Sequence, residues 1–183
     1  QNANLEKIDL AGLEQVDGYF WLRDNHNLTA VDFPGLEQVD GYFEIEENDN
    51  LQTVDVPLLN RVGGYFYVES NDHLQTLHVP GLEQVGGDFQ VWLNDNLQTV
   101  GAPRLSKVGG VFSIQENDNL QTLDVQGFQN ITDFFYVGGN RHLQTVNVER
   151  IEQCQGCRFT DNDALQTISM PSLHQTDSGF AVT

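Results

Sequence analysis

Basic residues are scarce in this chain. Eight Lys plus Arg stand against 27 Asp plus Glu in 183 residues, a formal net charge of −19. That balance repels nucleic-acid phosphates and anionic lipid surfaces, so neither is an expected partner. It suits cationic partners, divalent ions or a high-salt environment. Long apolar runs are also missing. None approaches the roughly 20 residues needed to span a bilayer as a helix, so no membrane insertion is expected. No secretory leader is visible, as would hold for an already processed extracellular protein. Cysteine is limited to Cys154 and Cys157, too few to settle the redox compartment by themselves. No segment carries a helical hydrophobic period, which leaves β-structure as the regular option.

What the chain does have is a repeat. Leu5, Leu28, Leu51, Leu74, Leu97, Leu120 and Leu143 stand 23 residues apart, and Leu165 follows after 22. A fixed period of this length marks a solenoid whose units bury their apolar faces only against their neighbours. Counting from the leucine as +0, apolar residues fall at +3, +5, +8, +11, +15 and +17, as in Val54, Val56, Leu59, Val62, Phe66 and Val68. Spacings of two are strand alternation, and the wider gaps hold turn residues. Proline occupies +6 (Pro34, Pro57, Pro80, Pro103, Pro171). Glycine occupies +13 (Gly18, Gly41, Gly64, Gly87, Gly110, and again Gly156). Asparagine occupies +20 from Asn25 to Asn162. The pattern predicts an all-β fold: a right-handed parallel β-solenoid, or β-helix, of eight 23-residue coils with about three short strands per coil. Residues 1–183 form one repeat domain in this reading. Phe20, Phe43, Phe66, Phe89, Phe112, Phe135 and Phe180 should stack as an internal spine. The Asn column should serve the corners, its amides satisfying backbone groups.

The motif L-x-x-V-x-V-P-x-L-x-x-V-G-G-x-F-x-V-x-x-N, clearest over Leu51–Asn71, resembles the receptor L-domain family of ligand-binding β-helices. It is also similar to the 23-residue leucine-rich repeats of bacterial surface proteins, which share the Leu, Pro, Val-Gly and Phe positions; V-G-G-x-F-x-V favours the first. Either resemblance implies an extracellular or cell-surface, non-catalytic role in recognition, adhesion or structural assembly, with a protein or glycan as partner. The matched residues are scaffold, so the resemblance names no ligand. The coils are more uniform than those of receptor L domains and lack their long inserted loops and disulfide-bonded ends.

Function in a solenoid is expected in its outward columns. At +14 and +16 these contain Tyr19, Trp21, Tyr42, Tyr65, Tyr67, Phe134 and Tyr136, and Trp92 lies at +18. Aromatic rings on a sheet surface mark a contact face, although cross-strand ring packing alone would also place them there. At +2, Thr53, Thr76, Thr99, Thr122, Thr145 and Thr167 form a threonine ladder. It fits ice binding, or simply the β-propensity of threonine. Its neighbouring +4 column (Asp9, Asp32, Asp55, His78, Gly101, Asp124, Asn147, Ser169) is irregular, unlike a second threonine rank.

The segment from +18 to +22 is acidic, with Asp24, Glu46, Glu47, Asp49, Glu69, Asp72, Asp95, Glu116 and Asp118 among its members. A calcium ion between Asp49 and Asp72, or between Asp95 and Asp118, would relieve stacked like charges; a solvated edge is the competing reading. No other cofactor is implied. The basic residues and histidines scatter, so no acid–base–electrophile constellation suggests an enzyme. Cys154 takes an inward +11 place and Cys157 that of a spine phenylalanine, on either side of a corner one residue short. A disulfide or two buried thiols both fit. Asn27 and Asn130 lie in N-glycosylation patterns, Asn-Leu-Thr and Asn-Ile-Thr. Neither end shows a recognisable cap, so the stack is expected either to continue in a longer chain or to join copies of itself head to tail as a filament.

Overall fold

The computed structural model describes residue 2 and residues 4–183. These form 23 short strands and no helix, and none of the described residues lies in a helix long and apolar enough to cross a membrane. All the strands pair in parallel with their counterparts one coil away. The broadest sheet has eight: Phe20–Arg23, Phe43–Glu46, Phe66–Glu69, Phe89–Trp92, Phe112–Gln115, Phe134–Gly138, Gly156–Thr160 and Phe180–Val182. Its eight rungs enclose about seven turns of a β-solenoid, with a step of 23 residues that shortens to 22 once, as in the pairings Phe43 with Phe66 and Phe135 with Cys157.

Two narrower sheets complete each turn. Ala30–Asp32, Thr53–Asp55, Thr76–His78, Thr99–Gly101 and Thr122–Asp124 form one, followed by a separate pair, Thr145–Asn147 with Thr167–Ser169. The other runs in two-residue strands from Gln15–Val16 to Asn130–Ile131, and Gln153–Cys154 with Gln175–Thr176 form their own pair. The strands are short because proline at +6 and the glycines near +13 end them. The glycine corner is tight: a Cβ added to Gly86 would stand 2.1 Å from the carbonyl oxygen of Gly63.

The core is the set of inward columns. Leu51, Val54, Val56, Leu59, Val62, Phe66 and Val68 of one coil are all fully buried. The phenylalanine spine stacks nearly face to face, with Phe43 and Phe66 at 4.9 Å and 3°, Phe66 and Phe89 at 4.9 Å and 5°, and Phe112 and Phe135 at 4.8 Å and 10°. Burying each ring contributes about 1.5–3 kcal/mol. Two departures from the simple spine appear. Phe180 is 49% exposed, since no described coil covers its outer side. Where Cys157 replaces a ring, Phe159 fills the gap, lying 5.9 Å from Phe135 and 5.6 Å from Phe180.

Cys154 and Cys157 are joined by a disulfide and both are buried. The pairing Cys154 with Thr176 keeps the first in the inward +11 column, and Gly156 pairs with Phe134. The missing residue therefore lies between Cys154 and Gly156. This corrects the column of Gly156, which counts as +13 along the sequence but stands in the outward +14 place. Glycine is needed there because the Phe134 ring lies over it, 2.6 Å from where a Cβ would be.

At the +20 corner the asparagines Asn48, Asn71, Asn94, Asn117 and Asn140 are fully buried. The backbone N–H of Asn71 donates to Asn94 Oδ1 at 3.1 Å. Asn94 Nδ2 donates to the Val68 carbonyl of the preceding coil (3.1 Å), to the Trp92 carbonyl of its own coil (2.8 Å) and to Asn117 Oδ1 (3.2 Å). The same set recurs at Asn48, Asn71 and Asn117, so each amide satisfies backbone groups on both sides of the corner. The preceding residue is left-handed in each coil: Asp24, Glu47, Ser70, Leu93, Glu116 and Asp161 have φ of 57, 53, 51, 55, 51 and 53°, and Gly139 has 68°. A non-glycine residue there costs about 1–2 kcal/mol, and the asparagine clamp holds it.

Replacing Asn94 by Ala leaves the Asn71 N–H buried without its acceptor and takes one donor each from the carbonyls of Val68 and Trp92, the latter still accepting from the Ser70 N–H. The expected loss is about 3 kcal/mol, read from the midpoint and slope of urea unfolding; a loss below about 1 kcal/mol would contradict the role assigned to the ladder. The Cys154→Ala/Cys157→Ala chain should lose about 2 kcal/mol in the same experiment, since a disulfide closing so short a loop removes little unfolded-state entropy.

Candidate functional site

On the broad sheet, +15 and +17 point inward, so +14, +16 and +18 share the outer face. Strand pairing sets their neighbours. Trp21 stands beside Glu44, which stands beside Tyr67; Arg23 beside Glu46, then Glu69, then Trp92. Tyr19, Tyr42 and Tyr65 form the third column. Their rings stack at 4.9 Å and 6° and at 4.7 Å and 9°, and Tyr67 packs on Tyr65 at 4.1 Å.

The predicted aromatic set all lies on this face, but not as one exposed surface. Tyr19, Trp21 and Trp92 are 59%, 50% and 37% exposed. Tyr42, Tyr65 and Tyr67 are half-buried, because each ring covers its neighbour. Phe134 and Tyr136 lie in a separate patch two rungs beyond Trp92. There Phe134 lies 4.9 Å beneath the Arg158 guanidinium and Tyr136 hydrogen-bonds Thr160 at 2.7 Å.

Carboxylates stand among the rings of the first patch. Tyr65 donates its hydroxyl to Glu44 at 2.8 Å, Trp21 its indole N–H to Glu46 at 2.9 Å, and Tyr67 its hydroxyl to Asp88 at 3.1 Å; Trp92 donates to Glu69. The cation here is Arg23, 3.3 Å from Glu46 and 3.1 Å from Glu47. This corrects the reading of Glu46 and Glu69 as members of an acidic bend: each ends a strand, and Glu46 is only 6% exposed. The signal was present, since the alternation that turns +16 outward does the same to +18. Glu44 and Asp88 share this outer face with the rings, at +16 and +14.

Burial pushes Glu44 above the usual carboxylate range, with repulsion from Glu46 adding to it against the Tyr65 hydrogen bond. Burial likewise raises Glu69, Glu46 and Glu44 adding repulsion against the Trp92 hydrogen bond. Burial and the neighbouring carboxylates hold the phenols of Tyr65 and Tyr67 neutral beyond the ordinary range, Tyr67 to about 12. Burial also raises Tyr42, helped by Tyr19.

The other outward features are simpler. Thr53, Thr76, Thr99 and Thr122 stand in register in one sheet, while Thr145 and Thr167 pair in another, so the ladder is interrupted. Beside it His78 lies 2.9 Å from Asp55. Of the calcium candidates, Asp49 lies 3.0 Å from His26 and Asp118 3.2 Å from Arg141. The carbonyls of Asp72 and Asp95 accept from Asn96 and Asn119. Among the described residues no group of three or more His, Cys, Asp or Glu could hold a metal ion. Asn27 and Asn130 are exposed. Compared with known proteins, the chain matches no family model, no curated protein and no solved structure at a significant level.

Because the raised phenols keep their protons in the folded chain longer than in the unfolded one, stability should fall as pH rises from about 10 towards 12. Tyrosinate absorbance should show Tyr42, Tyr65 and Tyr67 titrating above the ordinary tyrosine range, with that late step merging into unfolding. Titration of these three phenols near pH 10, without loss of β signal, would contradict this.

Proposed function

We propose that this chain is a non-enzymatic β-solenoid for recognition or adhesion at a cell surface or in an extracellular matrix, with the aromatic face of its first four rungs as the contact surface. One observation carries the reading: the stacked Tyr19–Tyr42–Tyr65 column next to the half-exposed Trp21. Rings already ordered by stacking lose little freedom on binding, and rigid aromatic area is what dominates contact energies in interfaces. The similarity of the repeat motif to receptor L domains and bacterial surface repeats favours an extracellular setting. So does the buried disulfide, since such bonds persist in oxidising compartments. The carboxylates are engaged by Trp21, Tyr65 and Trp92 rather than standing beside a nucleophile, which weighs for binding over turnover. Ice binding is less well supported, because the threonine ladder is a single interrupted rank.

The test is binding of the immobilised chain to arrays of glycans and of extracellular protein fragments, with parent and Tyr42→Ala/Tyr65→Ala chains compared side by side. The double variant should keep its β signal and weaken the parent's contacts by at least about tenfold, since it removes the centre of the ring stack. Contacts that it leaves unchanged would put the binding surface elsewhere and overturn the reading.

A further inference from the structure

The polar groups set among these rings are acidic, and the fold does not require them to be. Glu44 shares its outward column with Gln90 and Ser113, and Glu46 and Glu69 share theirs with Gln115, Gly138 and Thr160. Neutral residues therefore satisfy the same positions two or more rungs away. In the first rungs three carboxylates crowd together with Arg23 at one edge, and burial makes their shared charge costly. Arg23 also shows what such a surface accepts. Its guanidinium reaches Glu46 and Glu47, next to the Trp21 ring whose own N–H holds Glu46. One rung further the place in register with Glu46 is Glu69, another carboxylate, followed by Trp92. No side-chain cation of the chain answers Glu69 there among the ion pairs of the described residues.

We infer that this face takes a basic peptide segment of a partner protein, one arginine or lysine side chain of which seats among Glu44, Glu46 and Glu69 within the frame of Trp21, Tyr67 and Trp92. Two forces converge on such a group. Carboxylates supply charge-assisted hydrogen bonds, best to a planar guanidinium, and the indole and phenol faces attract a cation directly. The chain's net charge of −19 adds a long-range field that draws a basic segment in. A glycan would make less of this surface, since its hydroxyls gain little from crowded carboxylates. The inference rests on the aromatic face being the contact surface and adds the chemistry of what docks there.

Trp21 and Trp92 are the two tryptophans of the chain, and both lie on this face, so their emission reports on it. The experiment titrates the chain with a short Arg-Gly repeat peptide, and with Glu-Gly and Ser-Gly peptides of equal length. The Arg peptide alone should change the emission saturably, with an affinity that falls as salt is raised. Glu44→Gln/Glu69→Gln keeps the hydrogen-bond acceptors and the β signal and should weaken that binding by about tenfold or more. Asp161→Asn/Asp163→Asn makes the same charge change at the far end of the sheet and should alter it less than about twofold. No saturable change with the Arg peptide, or equal weakening by both pairs, would overturn the inference. In that event, glycan or neutral-peptide binding that is lost in the Tyr42→Ala/Tyr65→Ala chain would leave the aromatic contact face standing without its basic partner.

Discussion

The asparagine amide buried at each +20 corner is the constraint on which the rest depends. A parallel solenoid has no hairpin turns to set its register, and its short strands, two to five residues long, would pair almost as well one step out. The amide removes that freedom. It accepts the backbone N–H of the asparagine one coil back and donates to carbonyls of its own coil and the preceding one. A slipped coil would leave several of these groups buried without partners, each at about 1–3 kcal/mol. Slippage by one residue would also turn the inward columns out. The phenylalanine spine supplies much of the burial energy, but stacked rings tolerate sliding more readily than an amide with three acceptors.

Fixed register makes the outer face specific. Because Phe43 must pair with Phe66, Tyr42 must meet Tyr65 and Glu46 must meet Glu69. The first pair gains from stacking; the second is two acids held together, Glu46 buried and Glu69 half-buried. Such an arrangement costs stability, yet neutral Gln115, Gly138 and Thr160 hold the same column elsewhere in the stack. Crowded acids framed by aromatic rings have a natural complement in a cation, and Arg23 already occupies one edge in that manner. The stacked tyrosines give the face rigidity, and the carboxylates give it a preference of sign.

Much of the architecture was legible in the sequence. The all-β stack, the 23-residue step, the three strands per coil, the inward columns and the structural use of the asparagines follow from residue spacing alone. The shortened coil was legible too, but its consequences were not: Gly156 moves to an outward place, and Phe159, outward at +16 by count, stands in the inward +17 column and fills the gap left by the ring that Cys157 lacks. Both depend on where within the corner the missing residue is absorbed, and a one-dimensional count cannot distinguish those places. On the outer face the rings were identified and their partners were not. Glu46 and Glu69 read as members of an acidic bend because +18 precedes a run of charges, whereas the strand continues through them.

Outside the shortened coil, the sequence by itself determined which residues face in and which face out, because alternation along a strand is local and the period repeats it coil after coil. Only the tertiary structure decided what the outward residues do to one another. Trp21 meets Glu46 and Tyr65 meets Glu44 across 25 and 21 residues of chain. Such diagonal contacts are set jointly by the register of two coils and the lean of each side chain. The same packing that brings those rings and acids together half-buries Tyr42, Tyr65 and Tyr67 and leaves Tyr19, Trp21 and Trp92 exposed to solvent.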